Sequence, residues 1–257
     1  MRPLRTVAGM NSYPGVIDDL AAEQDRLESV LARLTPADWL SPSAAAGWTV
    51  ADVVLHLAQT EEAVPVALSG SADAIGWRDL GDNVDDAMNA LVRAQPAAPA
   101  EVFARWRAAR RASVAALRTA DPKQPVQWVA SSLKPPTLAT TRLAEHWAHA
   151  LDITGPLGIG YPDSMRLRHI AWLGFHTLPY AYRLAGQPAP DLFCELTAPD
   201  GATWRFGDPV AESVITGPAG AFCRVGALRL APADSGLTTR GPHAETALHA
   251  LRNYAAT

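Results

Sequence analysis

Apolar residues recur at the 3.6-residue spacing of helices through about the first 185 positions, interrupted by short polar or proline-containing breaks. Residues 15–34 carry Val16, Leu20, Leu27, Val30, Leu31 and Leu34 near helical spacing, after a loose leader over 1–14. Pro36 suits the first position of a short turn in the following break. A second long helix opens at Thr49, where Asp52 completes a capping-box pattern, and runs through Val53, Val54, Leu57 and Ala58 to about Leu68. Residues 69–86 read as a long connection, 87–94 as a short helix ended by Pro96 and Pro99, and 101–120 as a third long helix with Val102, Phe103, Trp106, Val114 and Leu117. An irregular stretch over 121–136 ends in Lys134-Pro135-Pro136, a stop before the helix at 141–153. A further helix over 164–184 contains Pro179, which predicts a kink.

The pattern changes near Gly186. A proline-containing linker at 187–191 is followed by strand patterns at 192–197 and 202–206, joined as a hairpin by Pro199-Asp200-Gly201, and by a third at 211–216. Gly217-Pro218 opens a helix to about Leu230, and a last helix spans 243–254. The expected fold is α+β: a four-helix bundle over 1–186 and a small α+β domain over 187–257.

The helix at 141–153, TRLAEHWAHALDI, departs from an ordinary surface helix. Leu143, Ala144, Trp147, Ala148, Ala150, Leu151 and Ile153 make it apolar around most of its circumference, and one narrow polar stripe remains: Arg142, Glu145, His149 and Asp152. A stripe this narrow is expected to face inward, where its charges need partners. Glu145 and His149, one turn apart, can chelate a divalent metal from a single helix, and His56, mid-helix between Leu55 and Leu57, is the best third ligand. Such a set leaves a coordination position open, as in catalytic zinc sites; nickel or iron would tolerate the same donors. Asp152 is placed to orient His149 through its other ring nitrogen, and Arg142 to support the stripe. The alternatives are a buried hydrogen-bonded pair, a satisfied core histidine and an Arg–Asp surface pair. His146 is a weaker ligand candidate. His169 and His176 share a helix face, either lining the same cavity or partly exposed, and His243 and His249 read as surface residues. Trp39, Trp48 and Trp147 read as core, and Asp82, Asp85 and Asp86 as a solvated loop.

At 257 residues, 48% apolar and 19% charged, the chain can bury a sizeable core. A net charge of −4 without a basic block argues against nucleic acid or an anionic membrane surface as partner. No apolar run is long enough for a membrane span, and the start lacks a secretory pattern. Cys194 and Cys223 are far apart and read as free thiols in a reducing cytoplasm. A cytoplasmic monomer or homodimer acting on a small molecule is expected.

GWTVADVVLHLA, with RLAEHWAHALDI further along, resembles the mycothiol-dependent maleylpyruvate isomerase family of DinB-like bundles. The segments ELTAPDGATWRF and VITGPAGAFCRV are similar to the sterol-carrier-like domain appended to that family. The resemblance implies a metal, usually zinc, held by His56, Glu145 and His149, and mycothiol or another small thiol as cosubstrate. A thiolate would add to an electron-poor double bond, followed by rotation and elimination, or would be transferred to an electrophile. It also implies an arginine of the second domain meeting a substrate carboxylate, matched first by Arg229 and second by Arg224. Two other readings stand beside a thiol isomerase or transferase: a thiol-independent metalloenzyme, for instance an isomerase or cyclase in a biosynthetic pathway, and a non-catalytic carrier of an apolar ligand.

Overall fold

The computed structural model describes residues 13–70, 76, 79–129 and 131–253. The chain divides into two compact units, the first ending at Gly160 and the second running from Tyr161 to Ala256.

In the first unit four long helices form the bundle: α1 (Tyr13–Leu31), α3 (Val50–Leu68), α5 (Pro99–Thr119) and α6 (Pro135–Thr154). Two shorter helices, α2 (Pro36–Leu40) and α4 (Val84–Ala94), lie between them in sequence. The helix starts follow the local chemistry. Thr35 and Asp38 cap α2 reciprocally, with Pro36 in its first turn. Thr49 and Asp52 do the same for α3, with Asp52 Oδ2 accepting from the Thr49 backbone N–H at 2.9 Å. Asn83 caps α4, so Asp85 and Asp86 occupy a helical first turn rather than a loop.

Two expectations shift here, and two others lie partly outside the described residues. The leader at 1–12 and residues 71–75, 77 and 78 of the long connection lie outside the described residues. The irregular stretch contains a short hairpin, β1 (Val126–Gln127) paired with β2 (Ser132–Leu133). Pro135-Pro136 does not stop the chain ahead of the key helix but starts it, because first-turn prolines forgo N–H groups that would have no helical partner. Helix α6 is buried nearly all round, through Leu138, Leu143, His146, Trp147, Ala150 and Ile153 among others, as its apolar circumference requires.

The second unit holds α7 (Leu167–Leu184), which contains Pro179 in its last turns, and a sheet of order β4-β3-β5-β6. Its strands are β3 (Leu192–Thr197), β4 (Thr203–Gly207), β5 (Ser213–Pro218) and β6 (Thr238–Arg240). The expected hairpin is present as antiparallel β3–β4; β5 runs parallel to β3, and the unpredicted β6 closes the edge. Helices α8 (Ala219–Gly226) and α9 (Ala244–Ala250) complete it. The expected boundary at 186 followed the change in residue pattern, whereas the structure groups α7 with the sheet. Asn253 explains the grouping: its Nδ2 donates to the Cys223 carbonyl at 2.8 Å, and a Cβ at either Gly174 of α7 or Gly226 of α8 would meet its side chain at 2.4–2.5 Å. Thr177 of α7 also donates to the Arg252 carbonyl. Cys194 and Cys223 are buried free thiols, and burial pushes the Cys194 thiol up to about 12, leaving it protonated and unreactive at neutral pH. Among the described residues no helix is long and apolar enough to cross a membrane.

Candidate metal centre

Helices α3 and α6 bring three of the anticipated side chains together. One ligand atom from each of His56, Glu145 and His149 lies within 4.8 Å of the other two. Glu145 Oε2 stands 3.6 Å from His56 Nε2 and 3.4 Å from His149 Nε2. Both separations exceed the usual 2.7–3.2 Å of an N–H···O hydrogen bond. They match the spacing of ligands on one ion, since bonds of about 2.0–2.1 Å at tetrahedral angles put neighbouring ligand atoms roughly 3.3 Å apart. On donor chemistry and on spacing, the cluster fits a divalent metal.

Asp152 takes the position expected of it. It is 1% exposed, and its Oδ2 accepts from His149 Nδ1 at 2.9 Å, which leaves Nε2 facing Glu145. The backbone carbonyl of Asp152 is held by Ala44 N–H at 2.9 Å. The two imidazoles sit in different fields. Burial drives His56 down to about 4, against the pull of Glu145, so it stays neutral. Burial also opposes the charge on His149, but Asp152 and Glu145 outweigh it and raise its pKa. For Glu145 burial favours the neutral acid, yet His149 and His56 beside it hold the carboxyl well below the usual range.

Trp48 departs from its expected core role. Its half-buried ring lies 5.2 Å from the His56 ring and 6.5 Å from that of His149, nearly parallel to the latter. Its Nε1 donates to Asn89 Oδ1 at 3.0 Å, and it packs against the Ala87 and Met88 cluster, giving the centre an aromatic wall. Trp39 and Trp147 are core, at 6% and 2% exposure.

Arg142 is a buried partner of α3, not half of a surface pair with Asp152. Its Nε donates to Glu61 Oε1 and its Nη2 to Thr60 Oγ1, both at 2.7 Å. Burial raises the pKa of Glu61, but Arg142, His146 and Ser113 overcome it and keep the carboxyl ionised. His146 is spoken for: Trp106 Nε1 donates to its Nε2 at 3.2 Å, and its Nδ1 then donates to the Arg142 carbonyl at 2.9 Å. Its burial lowers it to about 4, and with both nitrogens occupied it is not a ligand. Sequence reasoning missed Glu61; the available signal was the arginine Arg142 in a largely apolar helix, which needs a buried partner.

The remaining candidates belong to the second unit. Arg224 is committed to Asp163 by two contacts of 2.7 and 3.0 Å. Arg229 is exposed just beyond α8, its Nη1 donating to the Ala227 carbonyl. On α7, His169 is buried and His176 exposed; His243 and His249 are exposed.

The family model of the mycothiol maleylpyruvate isomerase N-terminal domain matches residues 20–154, which span α3, α6 and all three donors. Two relatives from Mycobacterium tuberculosis, uncharacterized proteins of strains CDC 1551 / Oshkosh and ATCC 25618 / H37Rv, are each 35% identical over 217 residues, covering 80% of this chain and 82% of theirs. Crystal structures of the mycothiol-dependent maleylpyruvate isomerase share the fold at 14–15% identity. A histidine-to-alanine mutant superposes with a TM-score of 0.58 and the unmutated protein with 0.56, each covering 90% of this chain and 96% of the other. The chain belongs to the mycothiol maleylpyruvate isomerase N-terminal domain family.

Proposed function

We propose that the chain is a zinc-dependent enzyme of low-molecular-weight thiol chemistry, which isomerises an electron-poor double bond or transfers the thiol to a small electrophile. The observation that carries this reading is the convergence of His56, Glu145 and His149, with Glu145 too far from either imidazole for a good hydrogen bond and at the right distance to share an ion with both. Two neutral imidazoles and one carboxylate suit zinc and leave a position open. Zinc held there supplies Lewis acidity, which keeps a thiol or a water largely as its anion at neutral pH.

The chain's own residues set the geometry. Asp152 fixes the His149 tautomer and ring plane, as the carboxylate behind a ligating imidazole does. His56, neutral by burial, offers a lone pair without first losing a proton. Trp48 walls one side of the centre and limits water access. The isomerisation balances without a further reactant. The thiolate sulfur bonds to one alkene carbon, the electron pair moves into the conjugated acceptor, the resulting single bond rotates, and the C–S bond breaks to return the thiolate. In a transfer the C–S bond is kept and a proton or leaving group closes the balance. Arg229 is the arginine that the family resemblance would match to a substrate carboxylate.

The test is turnover of a cis enoic acid conjugated to a carbonyl group, followed with and without zinc and with and without mycothiol. Turnover requiring both is expected, with a raised KM in Arg229→Ala. Zinc-dependent turnover that survives without any thiol would overturn the thiol reading in favour of a Lewis-acid isomerase or cyclase.

A further inference from the structure

We infer that Arg142 is a positioning residue of the metal centre: with Glu61 and Thr60 it clasps α3 to α6 one turn from the donors and sets where His56 stands relative to Glu145 and His149. This rests on the metal reading above. The side chain is 2% exposed and reaches two consecutive residues of α3 at once, Thr60 Oγ1 and Glu61 Oε1, each at 2.7 Å. Thr60 carries the contact onward, its hydroxyl donating to the carbonyls of His56 at 2.9 Å and Leu57 at 3.2 Å. Arg142 thus touches the side chain that is bonded to the backbone of one ligand, and it stands three residues before a second and seven before the third.

The turn that carries Glu145 is pinned from the other side as well. The Arg142 carbonyl accepts from His146 Nδ1, and Trp106 of α5 holds His146 Nε2. The Trp128 ring lies 5.9 Å from the guanidinium carbon. A planar fork bonded to two neighbouring side chains resists both sliding and rotation of α3 against α6, which a single contact would not. That precision matters, because ligand distances tolerate only about 0.2 Å, whereas one residue of helix slip is about 1.5 Å and 100°.

A purely structural ion pair would give different behaviour, since buried pairs can often be exchanged for apolar residues at little cost. Three variants separate the cases: Thr60→Val, Arg142→Lys, and the double variant Glu61→Gln/Arg142→Met, which leaves no orphan charge. For each, the metal-free Tm, the zinc affinity by chelator competition and the visible spectrum of the cobalt-loaded protein are measured beside the wild type. The double variant is expected to fold with a similar metal-free Tm yet bind zinc about 10–100-fold more weakly, with a displaced cobalt band. Thr60→Val should lose about tenfold, at the lower end of that range, and Arg142→Lys should fall between the wild type and the double variant. Folded variants with wild-type zinc affinity and cobalt spectrum would overturn the inference while leaving the metal reading intact. If the double variant does not fold, Thr60→Val decides alone. A wild type that binds neither metal would overturn both readings together.

Discussion

One helical turn separates two polar clusters in the same bundle, both drawn from α3 and α6, with Trp106 of α5 joining the first. In the first, Arg142, Glu61, Thr60, His146 and Trp106 meet at 2.7–3.2 Å. In the second, Glu145 faces His56 and His149 at 3.6 and 3.4 Å, and the one short contact, His149 to Asp152, points away from the cluster. The first cluster is nearly closed: apart from Glu61 Oε2, which has no hydrogen-bond partner among the described residues, its side chains satisfy one another, as buried polar groups must. The second is held open by the same backbone. Closed clusters stabilise and position; an open one, with basic nitrogens and a carboxylate converging, is set up to receive something else. The contrast separates a largely satisfied polar core from a candidate site between the same two helices.

Substitutions should separate the two clusters by what they change. The largest effect on folding belongs to the closed cluster. Arg142→Met leaves Glu61 as an uncompensated buried charge and should cost about 3–5 kcal/mol in urea unfolding, with Glu61→Gln in the same chain recovering much of it. If the single and double variants were equally stable, the cluster would not be closed in the sense argued. In the open cluster, Asp152→Asn should weaken zinc binding about 10–100-fold with a much smaller change in metal-free stability. A large loss of Tm with unchanged zinc affinity would reverse the assignment.

Acid sharpens the contrast next. Burial puts His146 at about 4 in the folded protein against 6.5 in the unfolded chain, so the unfolded chain takes up more protons between those values. Its contribution is complete above pH 6.5 and is lost as the pH falls toward 4, by about 2–3 kcal/mol at roughly 1.4 kcal/mol per pH unit. Urea unfolding at pH 7, 5.5 and 4.5 should show that slope, reduced in His146→Gln; equal slopes would contradict it. His149 works the other way in metal-free protein. Its raised value adds stability below pH 6.5 that fades as the pH climbs through it, and zinc must displace that proton. The smallest effect lies in the second unit. Leu228 sits at φ 57 and is 52% exposed where α8 ends, with Arg229 N–H donating back to the Arg224 carbonyl at 2.8 Å. Glycine suits such a helix end, so Leu228→Gly should stabilise by under about 1 kcal/mol. A loss of Tm would show that the Leu228 side chain packs more than its exposure suggests.

The bundle and the convergence of His56, Glu145 and His149 were legible because they rest on periodicity. Glu145 and His149 fall at i and i+4 on a helix apolar elsewhere, and His56 interrupts an apolar run. Partners across helices were less legible. Glu61 sits in the same α3 run as His56, and nothing in one dimension says that it, rather than Gln59, meets Arg142. Trp48 looked like core because an indole reads as apolar; its place beside the imidazoles depends on the turn before α3 and on Asn89. The short β1–β2 hairpin and the exposed β6 carry too few residues for a period to register. The boundary at 186 followed a change of pattern, whereas α7 joins the sheet through the close packing that Gly174 and Gly226 allow around Asn253.

The central claim is that the open cluster exists to hold a metal. Elemental analysis of the purified wild-type protein beside His149→Ala tests it directly. About one equivalent of zinc is expected in the wild type, lost in the variant, with the metal-free fold of both intact. No metal in either protein, even after zinc is added, would contradict it and leave His56, Glu145 and His149 as a loosely bonded polar core.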